Sequence, residues 1–339
     1  MRVGIRLEAA ATPRRALGCG GAIGAGVLDP AAPPVAIYGA GLEGDAVVLG
    51  AWQRAADAVR LDEAAAAGVD VLRRTTGGPT VVAGAGIVYV ALALRTASTL
   101  LECPPDRVLN RNVRGALVGL SRGGVATMYG GREFLAVGGR PVALVAWDRG
   151  VEGRVLVEMF IASERPVSPP DALDGYSPRT TPRLLGKQPT TLAEVWRRAP
   201  TALEILGHVV DGYVSAYGLE AQALSRATVT AAAIDPIELA DESSLRWSTP
   251  REIPIGLASA GIALGPGSRI TGARLAGDFF QDRIAPDALS HALAGQAPSR
   301  DVLAAALRGV YAPGRAVIEG VRGLDALADA LADAAALNP

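Results

Sequence analysis

The segment Arg73-Arg74-Thr75-Thr76-Gly77-Gly78-Pro79 brings two guanidinium groups, two hydroxyls and two adjacent glycines into one short stretch. Glycines without a Cβ let backbone N–H groups approach an anion, and neighbouring arginines pair with phosphate or carboxylate oxygens. The chemistry that suits such a stretch is the holding of an anionic small molecule; a tight turn with solvated arginines is the plain alternative. No Gly-Lys-Ser/Thr follows, and no G-x-G-x-x-G is present, so neither a P-loop nor a dinucleotide turn is written here. Few other groups compete. Lys187 is the sole lysine and reads as a solvated surface residue. Cys103, followed by Pro104-Pro105, reads as a small buried or loop thiol, His208 as a packing residue in an apolar helix, and His291 as exposed. Two lone histidines and two lone cysteines lack metal-ligand spacing, so no metal site is expected.

The elements that would position this stretch follow from apolar runs and their punctuation. Residues 35–38 and 46–49 read as short buried strands, and residues 54–67 as one helix closed by Gly68. Residues 69–72 read as a strand running directly into the Arg-Arg-Thr-Thr-Gly-Gly turn. Further on, residues 87–94 form an apolar run, and residues 109–120 carry helical spacing through Val113, Leu117 and Leu120. A hairpin is expected from residues 133–137 and 141–146 around Gly138-Gly139, then a strand at 155–161. Residues 165–183 hold five prolines and read as a covering loop. Helices follow at 192–196 and 203–217, the second with Leu203, Leu206, Val210 and Val214 on one side.

The chain has 339 residues, enough for one large domain and a smaller one. A composition shift at 235–254 divides it into residues 1–235, a linker at 236–254, and an α+β module at 255–339. In that module residues 261–264 and 270–275 flank a Gly265-Pro266-Gly267-Ser268 turn, and helices are expected near 286–293, 299–307 and in the tail. A net charge of −1, from 33 basic and 34 acidic residues, provides no global field for nucleic acid or an anionic membrane. Two cysteines are too few for a disulfide framework, and no secretory signal or long apolar run is seen, so the cytoplasm is the expected location.

Three ordered stretches resemble the biotin/lipoate protein ligase superfamily, and lipoate-protein ligase A in particular. The first is Val47-Val48-Leu49-Gly50-Ala51-Trp52-Gln53, a helix, then Gly68-Val69-Asp70-Val71-Leu72-Arg73-Arg74-Thr75-Thr76-Gly77-Gly78. The second is Leu109-Asn110-Arg111-Asn112-Val113-Arg114 followed by Tyr129-Gly130-Gly131-Arg132-Glu133-Phe134-Leu135. The third, residues 272–280 ending in Ala276-Gly277-Asp278-Phe279-Phe280, is similar to the accessory domain of full-length lipoate ligases. Together they span residues 35–310. The resemblance implies an α+β fold in which a mixed β-sheet is flanked by helices, with a small C-terminal α+β accessory domain that repositions between reaction steps. It implies activation of a lipoyl or related acyl carboxylate as an adenylate, with ATP and Mg2+, for transfer to a lysine of a lipoyl-domain or other carrier protein. It places Arg73, Arg74, Thr76, Gly77, Gly78, Pro79, Thr80, Val81, Val82 and the Pro141 position against acyl chain and nucleotide.

The departures from that pattern gather at the expected site. Pro79 stands where a third loop glycine is usual and removes a backbone donor. Ala83 replaces a histidine, Glu133-Phe134 an Asn-Asp pair, and Pro141 the lysine that bridges carboxylate and α-phosphate. Arg140 and Lys187 are the candidate replacement cations, although adjacent strand residues face opposite sides, so Arg140 should point away if Pro141 holds the lysine's place. Three readings follow: a ligase with altered catalysis, a diverged acyltransferase or acid-activating enzyme, and a non-catalytic binding or scaffold protein of the same fold.

Overall fold

The computed structural model describes residues 1–96, 100, 102–131, 133–168, 172–175, 188–225, 229 and 244–337. The first part runs β1 (Arg2–Ala11), α1 (Pro13–Gly26), β2 (Val35–Leu42), β3 (Asp45–Leu49), α2 (Ala55–Ala58), α3 (Leu61–Ala66), β4 (Asp70–Arg73), β5 (Val81–Gly84) and β6 (Ile87–Leu94). It continues with α4 (Val108–Asn112), α5 (Arg114–Ser121), β7 (Thr127–Tyr129), β8 (Phe134–Val137), β9 (Arg140–Arg149), β10 (Val155–Ala162), α6 (Leu192–Trp196), α7 (Ala202–Tyr217) and β11 (Glu220–Ala223).

Eight of these strands form one mixed sheet in the order β11-β1-β2-β6-β10-β9-β8-β7, parallel at β11-β1-β2 and antiparallel beyond. β2, β6 and β10 are buried along their whole length, which explains their continuous apolar runs: helices cover both faces. α1 lies so close to one face that a Cβ added at Gly20 would stand 2.1 Å from Tyr89 Oη. α7 covers the other face, where a Cβ at Gly39 would meet Leu206 Cδ2 at 2.3 Å. A small sheet, β4-β3-β5, delivers the Arg-Arg-Thr-Thr-Gly-Gly turn between β4 and β5. The expected mixed sheet flanked by helices is therefore present.

The C-terminal part comprises β12 (Arg246–Trp247), β13 (Arg251–Ile253), β14 (Gly256–Leu264), β15 (Ile270–Gly277), β16 (Phe280–Gln281), α8 (Ala285–Leu293), α9 (Arg300–Val310), β17 (Ile318–Glu319) and α10 (Asp325–Ala336). It has its own core, with Leu275, Phe279, Leu289, Leu303, Leu307 and Leu331. β16 and β17 form a two-stranded ribbon that packs toward β9. Among the described residues no helix is long and apolar enough to cross a membrane.

Several expectations need correction. The helix expected at 54–67 is two short helices, because Val59 is extended (φ −146°, ψ 146°), bridges Asp174, and is followed by an Arg60 N–H bonded to Leu173 O. Leu203 is half exposed, whereas Leu206 and Val210 are buried as expected, together with Ile205, Val209 and Tyr213. Of the stretch read as linker, residues 236–243 lie outside the described residues, while 246–247 and 251–253 pair with β14. β1 and α1 carry no expectation above. Five glycines thin the apolar spacing of α1, and its Thr12 cap with Pro13 in the first turn is the signal that marks it.

Candidate functional site

β4 ends at Arg73 and turns back into β5 through residues 74–80, and from Thr76 to Ala83 every residue is buried. Arg74 is 2% exposed and spends its guanidinium inside the turn. Its Nη1 donates to Val48 O at 3.3 Å, its Nη2 to Gly77 O at 2.6 Å and Pro79 O at 2.9 Å, and its Nε to Thr76 Oγ1 at 3.1 Å. The group also sits 5.8 Å from the centre of the Phe160 ring. Burial pulls its pKa down to about 10, opposed by the negative charges of Glu158 and Asp278, so it stays protonated at neutral pH. Arg73 donates to the carbonyls of Gly50 and Gln53 at 3.1 and 2.5 Å, tying the turn to the segment after β3.

Glu158 anchors the turn to the main sheet. It is 1% exposed, accepts from Thr76 N at 3.2 Å and Thr76 Oγ1 at 2.5 Å, and accepts a short hydrogen bond from Tyr89 Oη. Burial and the Glu158 charge push the Tyr89 phenol well above its ordinary pKa, so it acts as a donor. Thr76 Oγ1 thus links Arg74 to Glu158. Glu158 is absent from the sequence-derived site; the signal for it is a lone carboxylate inside the otherwise apolar run Val-Leu-Val-Glu-Met-Phe-Ile-Ala.

The C-terminal part closes over this turn. Gly78 N–H donates to Phe279 O at 3.1 Å, and Gly77 N–H donates to Trp147 O of β9 at 3.2 Å. A Cβ at Gly77 would lie 2.7 Å from Phe279 O, and one at Gly78 would lie 2.6 Å from Phe280 Cε1. Gln53 Nε2 donates to Asp278 Oδ1 at 2.5 Å. Arg283 Nε reaches buried Asp148 at 2.8 Å while its Nη2 reaches Thr75 O at 2.7 Å. Arg149 holds Asp282 through both Nε and Nη2, and Trp147 Nε1 donates to Glu319 Oε2 at 3.2 Å. In this arrangement the two glycine amides and both arginines are engaged within the protein. The amides are capped by protein carbonyls, and Arg73 and Arg74 are turned onto the backbone, because each buried donor needs an acceptor.

The remaining expected residues separate. Thr80 Oγ1 donates to Gln53 Oε1 at 3.1 Å. Val81 and Ala83 join the main core, while Val82 lines a cavity of about 270 Å3 on the other side of the small sheet, with Ala46, Val47, Val69, Arg165 and Leu173. Pro141 is buried at the start of β9, beyond the last β10 pair at Ala143, and its carbonyl accepts from Thr190 N at 2.8 Å. A proline is tolerated there because, among the described strands, β8 alone pairs with that position. Arg140 is paired with Glu194 and donates to Pro189 O at 2.9 Å. It serves α6 and does not face the turn's polar network. Lys187 and Arg132 lie outside the described residues. His208 packs edge-on against Trp196 at 5.8 Å, His291 is exposed, and Cys103 is half-buried with its thiol pKa raised by burial. No group of three or more metal-binding side chains occurs among the described residues.

Gly77→Ala is expected to lower unfolding stability by about 1–3 kcal/mol through overpacking, read from urea unfolding. An alanine variant as stable as the parent would mean that Phe279 does not press on the turn.

No family model and no curated protein matches the chain. Among solved structures, P. falciparum LipL1 in complex with lipoate matches with a TM-score of 0.69 and 11% identity, over 96% of this chain and 98% of that one. The chain adopts the fold of the lipoate-protein ligases. The bi-partite lipoate protein ligase of Thermoplasma acidophilum, described with its E2 lipoyl domain, matches at TM-score 0.53 and 14% identity, over 67% and 89% of the two chains. A lipoate-protein ligase A bound with ATP matches at TM-score 0.52 and 13% identity, over 67% and 91%. Because the LipL1 match takes in 96% of this chain, the shared lipoate-ligase fold extends into the C-terminal part.

Proposed function

We propose that this chain is a lipoate-protein ligase-like enzyme that activates a lipoyl or related acyl carboxylate as an adenylate, for transfer to a lysine of a lipoyl domain or another carrier protein. The reading takes ATP with Mg2+ as co-substrate, a cytoplasmic location, residues 1–235 as the catalytic domain and 255–339 as an accessory domain, whose sheet also takes in residues 246–247 and 251–253 of the stretch between them. The observation that carries it is the match over nearly the full length of lipoate-bound LipL1, C-terminal part included.

The residues as arranged do not fit a triphosphate at the glycine turn, since both amides and the Arg74 donors are already bonded. Release of Phe279 frees the Gly78 N–H, whereas the Gly77 N–H stays on Trp147 O within the main sheet. Under this reading the accessory domain must lift before the turn can serve a ligand. The same internal bonding, with Pro141 in place of the family's lysine, favours a second reading as a binding or scaffold protein that does not adenylate.

Pyrophosphate release with ATP and lipoate, octanoate or a panel of other acids tests the ligase reading. Failure of ATP to bind by calorimetry sinks it and leaves the second. Pro141→Lys is expected to raise acyl-adenylate formation on the order of 10²- to 10³-fold, the usual worth of one preorganised donor at a developing charge. A folded variant that stays inert would place the divergence beyond that position.

A further inference from the structure

The contact between Trp147 and Glu319 joins the two parts of the chain at the turn. Trp147 supplies the carbonyl that takes the Gly77 N–H, and its ring N–H donates to Glu319 Oε2 at 3.2 Å. Glu319 is the cross-strand partner of Phe280, the residue pressed on Gly78. Its second oxygen, Oε1, is buried and accepts no hydrogen bond. Among the described residues that act on this carboxyl none is a compensating cation: Tyr129 of β7 is a neutral phenol, Asp106 and Asp282 are acidic, Glu133 lies near Tyr129, and Arg149 is committed to Asp282. A neutral carboxyl suits that place, and an ionised one does not.

We propose that Trp147 and Glu319 form a proton-linked latch, in which the C-terminal part rests on the glycine turn while the Glu319 carboxyl keeps its proton and is released as that proton is lost. Burial lifts this carboxyl from its ordinary value near 4.5 to about 7, opposed by the Trp147 hydrogen bond and helped by Asp106 and Asp282. The docked form therefore binds the proton more tightly than the undocked form. Docking is strongest at or below the ordinary carboxylate pKa and weakens as pH rises through about 7. Between pH 6 and pH 8 the docking equilibrium falls about tenfold. This holds without ligand or catalysis, so it stands or falls apart from the ligase reading.

Hydrogen exchange on the full chain tests it, with protection factors corrected for the intrinsic pH dependence of exchange. The amides to follow are those that bridge the two parts: Gly78 to Phe279 O, Gly277 to Trp52 O and Arg283 to Arg149 O. Their protection is expected to fall about tenfold from pH 6 to pH 8, with β6 amides as the unchanged reference. Glu319→Gln, neutral at both pH values, is expected to abolish the fall. Equal protection at both pH values in the unaltered protein overturns the latch, as does a tenfold fall that persists in Glu319→Gln. The comparison on the unaltered protein decides the matter even if the variant does not fold.

Discussion

Arg74→Met is expected to cost about 3–5 kcal/mol of unfolding free energy, the range for breaking a buried charge network by removing one partner. Methionine retains most of the arginine stem, so the loss would come from polar groups and not from a void. Three carbonyls, Val48 O, Gly77 O and Pro79 O, lose a guanidinium donor in the protein interior. Glu158 loses the positive charge that balances it. Arg74→Lys should rescue little, because a single ammonium cannot reproduce a planar fork reaching several acceptors. Urea unfolding of the two variants measures both effects. A loss under about 1 kcal/mol would show that the guanidinium is not engaged inside the turn and would return Arg74 to the role of a ligand-facing cation.

Glu158→Leu is expected to cost a similar 3–5 kcal/mol, since it removes the larger of the two negative charges, Glu158 and Asp278, that balance the buried Arg74 cation. It also strips acceptors from Thr76 N, Thr76 Oγ1 and Tyr89 Oη. The two changes share Thr76 and should not add. The double variant Arg74→Met with Glu158→Leu should be more stable than the sum predicts by about 1–3 kcal/mol, because each removes the unpaired charge the other creates. Strict additivity in that cycle would deny that the turn and β10 form one polar unit.

Much of the architecture was legible along the chain. The strands at residues 35–38, 46–49, 87–94 and 155–161 were visible because a sheet covered on both faces demands unbroken apolar runs, and those runs are local. The Gly138-Gly139 hairpin was visible because both turn residues take positive φ, 56° and 77°, which glycine adopts freely. The break at Val59 was not, since it depends on a pairing with Asp174 far along the chain. Nor was α1, whose Gly20 serves close approach to Tyr89 and whose five glycines read as poor helix formers.

The candidate site divides in the same way. Residue types and order by themselves determined that a strand delivers an arginine-diglycine turn and that an α+β part follows it toward the C-terminus. Only the tertiary structure decided what the turn's donors do. Arg74 folds back on its own carbonyls, Glu158, 82 residues from Thr76, fixes the turn to the sheet, and Phe279 and Trp147 take the two glycine amides. The physical reason is that glycine spacing sets where an N–H can be placed, whereas the acceptor it finds comes from whichever distant segment packs there, and burial obliges it to find one.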